Sequence, residues 1–144
     1  MATILLLHGP NLNQLGKRDA AQYGSLSLPA LEALVKKEAE ARGHTVKAFQ
    51  SNHEGALIDW LQKESEGARG IIVNPGALTH YSYALHDALL DTKLPAVEVH
   101  LSDIISRESW RTVSVTAPAC IAQISGKKEH GYIEALETLA PHLQ

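Results

Sequence analysis

Short runs of continuous apolar residues alternate in this chain with stretches whose apolar residues recur every three or four positions. "TILLLHG" (3–9) is apolar up to its closing turn residues, which predicts a buried strand. In "SLPALEALVKKEAEARG" (27–43), Leu31, Leu34 and Val35 fall at helical spacing, with Ser27 as N-cap and Gly43 as stop. A second strand is predicted over 44–52, then a helix over 54–67 with Leu57, Ile58 and Leu61 on one face. A third strand follows at "GIIVNPG" (70–76), a helix at 82–92 and a fourth strand at "PAVEVHL" (95–101). "ACIAQIS" (119–125) predicts a fifth strand, and 130–143 a last helix.

Regular alternation of strand and helix implies a parallel sheet covered on both faces and built from right-handed βαβ units. The 144 residues fit one domain spanning 1–144. They are too few for a closed eight-stranded barrel, which takes roughly 250. The expected fold is therefore an α/β flavodoxin-like, doubly wound, five-stranded parallel sheet with helices on both faces. Two connections are long, 8–26 and 101–118, and both leave the carboxyl ends of strands. Ligands bind at those ends in open α/β sheets, and long connections are often functional.

Composition narrows the class. Hydrophobic residues make up 44% and charged ones 20%, the balance of a soluble globular protein. A net charge of −3 gives no basic excess for nucleic acid. The opening "MATILLLHGPNLN" is too short in its apolar run for a membrane span and lacks the features of a secretory leader, so a cytoplasmic location is expected. The single cysteine, Cys120, sits in an apolar run and reads as a small buried hydrophobe.

The carboxyl ends of strands one, three and four carry the polar residues. Asn11, Asn13, Arg18, Tyr23, Asn74, Thr79, His80, Glu98, His100, Ser102, Arg107 and Arg111 all fall there and would converge on one crevice. The chain has no G-x-G-x-x-G, P-loop or G-x-S-x-G motif and no zinc-ligand spacing. That leaves acid–base chemistry with cationic binding groups and no cofactor or metal. Glu98 and His100 share side-chain parity in a strand, and a carboxylate beside an imidazole fixes its tautomer and favours its protonated form. By spacing alone the pair reads equally as a catalytic couple or as a plug for the sheet end. Tyrosine, with a free pKa near ~10, becomes a useful base only with roughly 3 kcal/mol of help to its phenolate; Arg18, on the loop that carries Tyr23, is a source of it. Taken singly, Tyr23 is more readily a turn aromatic before Gly24, and Arg18 a solvated loop charge. Arg107 and Arg111, four apart, could clamp an anion or simply face solvent. Asn74 could equally form an Asx turn. His8, His44, His53, His130 and His142 show no partner and read as surface or turn residues.

Three segments in register, "LLLHGPNLNQLGKRDAAQYG", "IIVNPGALTHYSYALHDAL" and "PAVEVHLSDIISRESWR", resemble type II 3-dehydroquinate dehydratase, from about residue 3 to the last helix. The resemblance implies a cofactor-free hydro-lyase of the shikimate pathway or of quinate breakdown. Such enzymes remove water from 3-dehydroquinate by anti elimination through an enolate. By resemblance, Tyr23 is the base at C2, Arg18 its activator, Asn11 the holder of a water at the enolate oxygen, and His100, backed by Glu98, the acid for the C1 hydroxyl. Asn74, His80, Arg111 and the backbone amides of Leu101 and Ser102 match the substrate-binding groups, and Asp87 matches an acidic residue that reaches a neighbouring subunit's site. The family's usual dodecamer of four trimers is implied as well. This chain departs from the family pattern at His86, where arginine is common, at "SDIIS", after Arg111, and at "GKKEHGY". The competing reading from another class is a flavodoxin-like nucleotide or flavin binding module.

Overall fold

The computed structural model describes residues 1–143. Strands β1 (Thr3–His8), β2 (Thr45–Gln50), β3 (Gly70–Asn74), β4 (Ala96–His100) and β5 (Ala122–Ser125) form one sheet in the order β2-β1-β3-β4-β5. Every pairing is parallel. Helices α1 (Ala20–Tyr23), α2 (Leu28–Ala41), α3 (Glu54–Glu64), α4 (Tyr83–Asp91) and α5 (His130–Leu139) connect the strands.

Side-chain alternation divides the core. Ile4, Leu6, Ile72, Val97 and Val99 pack with Leu31 and Val35 of α2 and Tyr132 and Leu136 of α5. Leu5, Leu7, Ile71 and Val73 pack with Leu57 and Leu61 of α3 and Leu85 and Leu89 of α4. Both faces of β1, β3 and β4 are thus buried, which is why those strands read as continuous apolar runs. The edge strand β2 keeps the alternating pattern, with Thr45 and Lys47 exposed.

The predicted elements are all present, with shorter ends. Residues 119–121 belong to a turn rather than to β5, and Ile121 is exposed there. The last helix stops at Leu139 and continues as a 3-10 turn. The long connections are more ordered than expected. Within 8–26 lie a 3-10 turn (Leu12–Gln14) and α1, whose N-cap Asp19 accepts a bond from the Ala21 N–H at 3.0 Å. The 101–118 connection is a chain of 3-10 turns at Ile104–Ser106, Ser109–Thr112 and Ala117–Ala119. Among the described residues, no helix is long and apolar enough to cross a membrane.

Candidate active site

Strand order reverses between β1 and β3, and the loops leaving these strands part there to open a crevice. At its floor the loops touch backbone to backbone. The Gly9 N–H donates to the Asn74 carbonyl at 2.7 Å, and a Cβ on Gly9 would lie 2.2 Å from the Pro75 oxygen. A Cβ on Gly76, at φ +62°, would lie 2.9 Å from the Pro10 oxygen. Only glycine permits this approach. It sets Asn11, itself left-handed at φ 72°, opposite Asn74. The Asn74 side-chain oxygen accepts from Gly76 N–H at 3.0 Å, and its amide donates to the buried Tyr132 hydroxyl at 3.3 Å.

Tyr23, the last residue of α1, lines the crevice. The Arg18 guanidinium lies 3.6 Å from the centre of its ring and that of Arg107 5.1 Å from it. Two guanidinium groups thus lie near the phenol ring, a cation–π arrangement.

His100, at the end of β4, also lines the crevice. Its Nε2–H donates to Glu98 Oε2 at 2.9 Å, and both side chains are almost wholly buried. Since a carboxylate only accepts, Nε2 carries the proton and Nδ1 is the remaining ring nitrogen. Glu98 also accepts bonds from Ser114 (2.9 Å), Gln123 (2.6 Å) and Thr116. Burial alone would raise its carboxyl, but the bonds from His100, Thr116 and Gln123 outweigh that and hold it at about 2. Beside this pair, His80 Nδ1 bonds the Val113 carbonyl at 2.6 Å and its ring meets Trp110 edge-on at 5.2 Å. Burial lowers the proton affinity of His80.

Asn11, Arg18, Tyr23, Asn74, His80, His100, Leu101, Ser102, Arg107 and Arg111 all line this one crevice. Arg107 Nη1 donates to Ser102 Oγ at 3.1 Å, and Arg111 Nε donates to Glu108 at 2.7 Å while its guanidinium stacks on Trp110. Glu98 stands behind His100 rather than in the lining. Asp87 is not brought in: it is exposed on α4, with His86 Nδ1 at 3.0 Å from its Oδ1. His8, expected at the surface, is fully buried, 3.4 Å from Glu32 Oε2 but aimed too poorly for a hydrogen bond. Ser114, Thr116 and Gln123 went unnoticed in the sequence. Only Gln123 left a trace there, because it pairs in register with Glu98 across β4 and β5.

The fold is α/β of flavodoxin-like topology, and its crevice gathers a tyrosine, a carboxylate-backed imidazole and three arginines. Comparison with known proteins makes this specific. Residues 2–140 match the family model described as dehydroquinase class II, and the chain belongs to that family. It is 53% identical over 136 residues to a 3-dehydroquinate dehydratase of Roseiflexus castenholzii, covering 94% of this chain and 87% of that protein. It is 50% identical over 144 residues to one of Bacillus cereus, covering 100% and 99%. The type II dehydroquinase structure of Butyrivibrio crossotus superposes with a TM-score of 0.93 at 42% identity, covering 96% of this chain and 97% of that one.

Proposed function

We propose that the chain is a 3-dehydroquinate dehydratase, a hydro-lyase that eliminates water through an enolate without a cofactor. The observation that carries this reading is one crevice lined both by a tyrosine with a guanidinium 3.6 Å from its ring centre and by a carboxylate-backed imidazole. The hydrogen on C2 lies beside the C3 ketone, so it is acidified yet still needs a base stronger than a neutral phenol. Tyr23, as phenolate, removes it, and Arg18 and Arg107 stabilise the phenolate by charge. The electron pair moves into the C2–C3 bond and onto the ketone oxygen. There a water held by Asn11 donates to the enolate, a preorganised form of stabilisation.

The enolate then re-forms the ketone and expels the C1 hydroxyl. His100, as imidazolium, gives up its Nδ1 proton to that group, which leaves as water. Glu98 holds the imidazolium through Nε2 and steadies the ring. An anti elimination requires base and acid to act from opposite faces of the substrate ring. The substrate carboxylate fits the turn at Leu101 and Ser102, whose backbone N–H groups donate to no other described residue. Asn74, His80, Arg107 and Arg111 orient the ring hydroxyls. A flavin or nucleotide reading is not favoured, because the loop after β1 presents Asn11, Arg18 and Tyr23 in place of a glycine-rich phosphate turn. We further propose cytoplasmic residence and a homo-oligomer, a dodecamer of four trimers, with Asp87 serving a neighbouring crevice.

The direct test is ultraviolet absorbance of the enone formed from 3-dehydroquinate, with and without a chelator. Turnover is expected in both, and borohydride with substrate should leave the mass of the chain unchanged. Tyr23→Phe should cut kcat by at least ~10²–10⁴-fold with the fold intact. Near-normal turnover in that variant would remove Tyr23 as the base.

A further inference from the structure

Behind His100, away from the crevice, the Glu98 carboxylate is served by more donors than a buried ion pair requires. Gln123 reaches it from β5, with Nε2 2.6 Å from Oε2. Ser114 Oγ lies 2.9 Å from Oε2 and 3.2 Å from Oε1, and Thr116 Oγ1 bonds Oε1. The proton directions follow from the acceptors. The Ala117 N–H donates to Ser114 Oγ at 2.9 Å, and Thr79 Oγ1 lies 2.7 Å from Thr116 Oγ1. Because Glu98 accepts only, the Ser114 and Thr116 hydroxyl protons turn toward it, and Thr79 donates to Thr116. None of these three donors touches the crevice.

We propose that Ser114, Thr116 and Gln123 are positioning residues: by sharing the charge of Glu98 they limit how tightly it holds the imidazolium of His100, and so keep His100 a ready proton donor. The donors compete for the charge of Glu98. A carboxylate with His100 as its one donor would concentrate its charge on that bond and stabilise the imidazolium. Each further neutral donor withdraws part of that pull while leaving the ring anchored and its tautomer fixed. The depressed carboxyl of Glu98 agrees with an anion stabilised from several sides. The functional meaning rests on His100 being the acid of the proposed elimination.

Other groups also bear on the pair. His80, Arg18, Tyr23, Arg107 and Arg111 share the crevice lining with His100, and burial, helped by the charge of Glu98, pushes the Cys120 thiol up to about 12. The test leaves all of them in place. Gln123→Leu and Thr116→Val each remove one donor, and Thr116→Ser keeps the hydroxyl. The readout is the His100 ring titration, followed by NMR on the full chain with labelled histidine and no substrate, alongside kcat and KM.

In Gln123→Leu and Thr116→Val the His100 pKa should rise by about half to one unit, a three- to tenfold tighter hold on the proton. The pH profile of kcat/KM should move with it, and Thr116→Ser should stay at the wild-type value. A purely structural role would lower stability without moving the titration. A His100 titration that is unchanged or shifts downward in folded Gln123→Leu overturns the proposal. That variant decides alone if Thr116→Val does not fold, since Gln123 lies at the surface. A chain inert toward 3-dehydroquinate whose His100 still shifts would refute the elimination and leave the charge-sharing intact.

Discussion

Glu98 gives up its hydration entirely on folding, and its bonds must more than replace what it loses. The result is a carboxyl lowered from 4.5 to about 2. A lowered carboxyl contributes stability that is present above its unfolded pKa and is lost as pH falls through its folded one. The window therefore runs from about pH 4.5 down to about pH 2, and the contribution is on the order of 3 kcal/mol. Urea melts of wild type and Glu98→Gln should differ most near neutrality, and about half of the part of the gap due to titration should be gone by pH 3. A gap that stays constant between pH 6 and pH 3 would mean that Glu98 is not held as an anion. The Glu98–His100 couple was legible in the sequence because two polar residues of one parity stood out in an apolar strand. The donors around Glu98 were not. Ser114 and Thr116 lie in an irregular segment with no period to read, and Gln123 gains its meaning only once β4 and β5 are in register. His8 shows the opposite failure: it has the parity of Ile4 and Leu6, so strand alternation alone should have buried it.

The loops after β1 and β3 owe their joint geometry to residues with no chemistry of their own. Gly9 and Gly76 let two backbones touch, and that contact fixes the spacing between Asn11 and Asn74. Gly9→Ala would force its new Cβ onto the Pro75 carbonyl, which is backbone and cannot swing aside. Overpacking of this kind costs typically ~1–3 kcal/mol. The variant should melt several degrees lower and lose turnover more than its stability loss explains, as read by calorimetry beside the absorbance assay. Unchanged melting and kcat would show that the loops can part freely. Long periodic elements such as α2 were readable from spacing, whereas α1 was not. A single turn has no apolar stripe, and its one signal is the capping Asp19. Yet α1 is the element that brings Tyr23 to the crevice, so the least readable element carries the proposed base.

The outer surface of the molecule raises the question of assembly. On α4, Leu85, Ala88 and Leu89 face the core, while Tyr83, Asp87 and Leu90 follow one another along the exposed side. Tyr81, Trp110 and Val113 are exposed as well, on turns that border the crevice. Exposed large apolar side chains of this kind are candidates for an interaction surface. An acidic residue set among them belongs to whatever docks there, which is the position that Asp87 requires if it serves a neighbouring crevice. His86 differs from the family's arginine at this point, and its ring turns to Asp87 of its own chain. Two variants separate assembly from catalysis. If the proposed dodecamer packs through this face, Tyr83→Glu adds a charge to the contact and should reduce the mass measured by light scattering from that of twelve chains to a smaller species, with a loss of activity that follows dissociation. Asp87→Ala leaves the apolar surface intact and should raise KM severalfold while the mass stays the same. If the wild-type chain is a monomer at micromolar concentration and still turns over 3-dehydroquinate, the crevice is complete within one chain and Asp87 has no part in it.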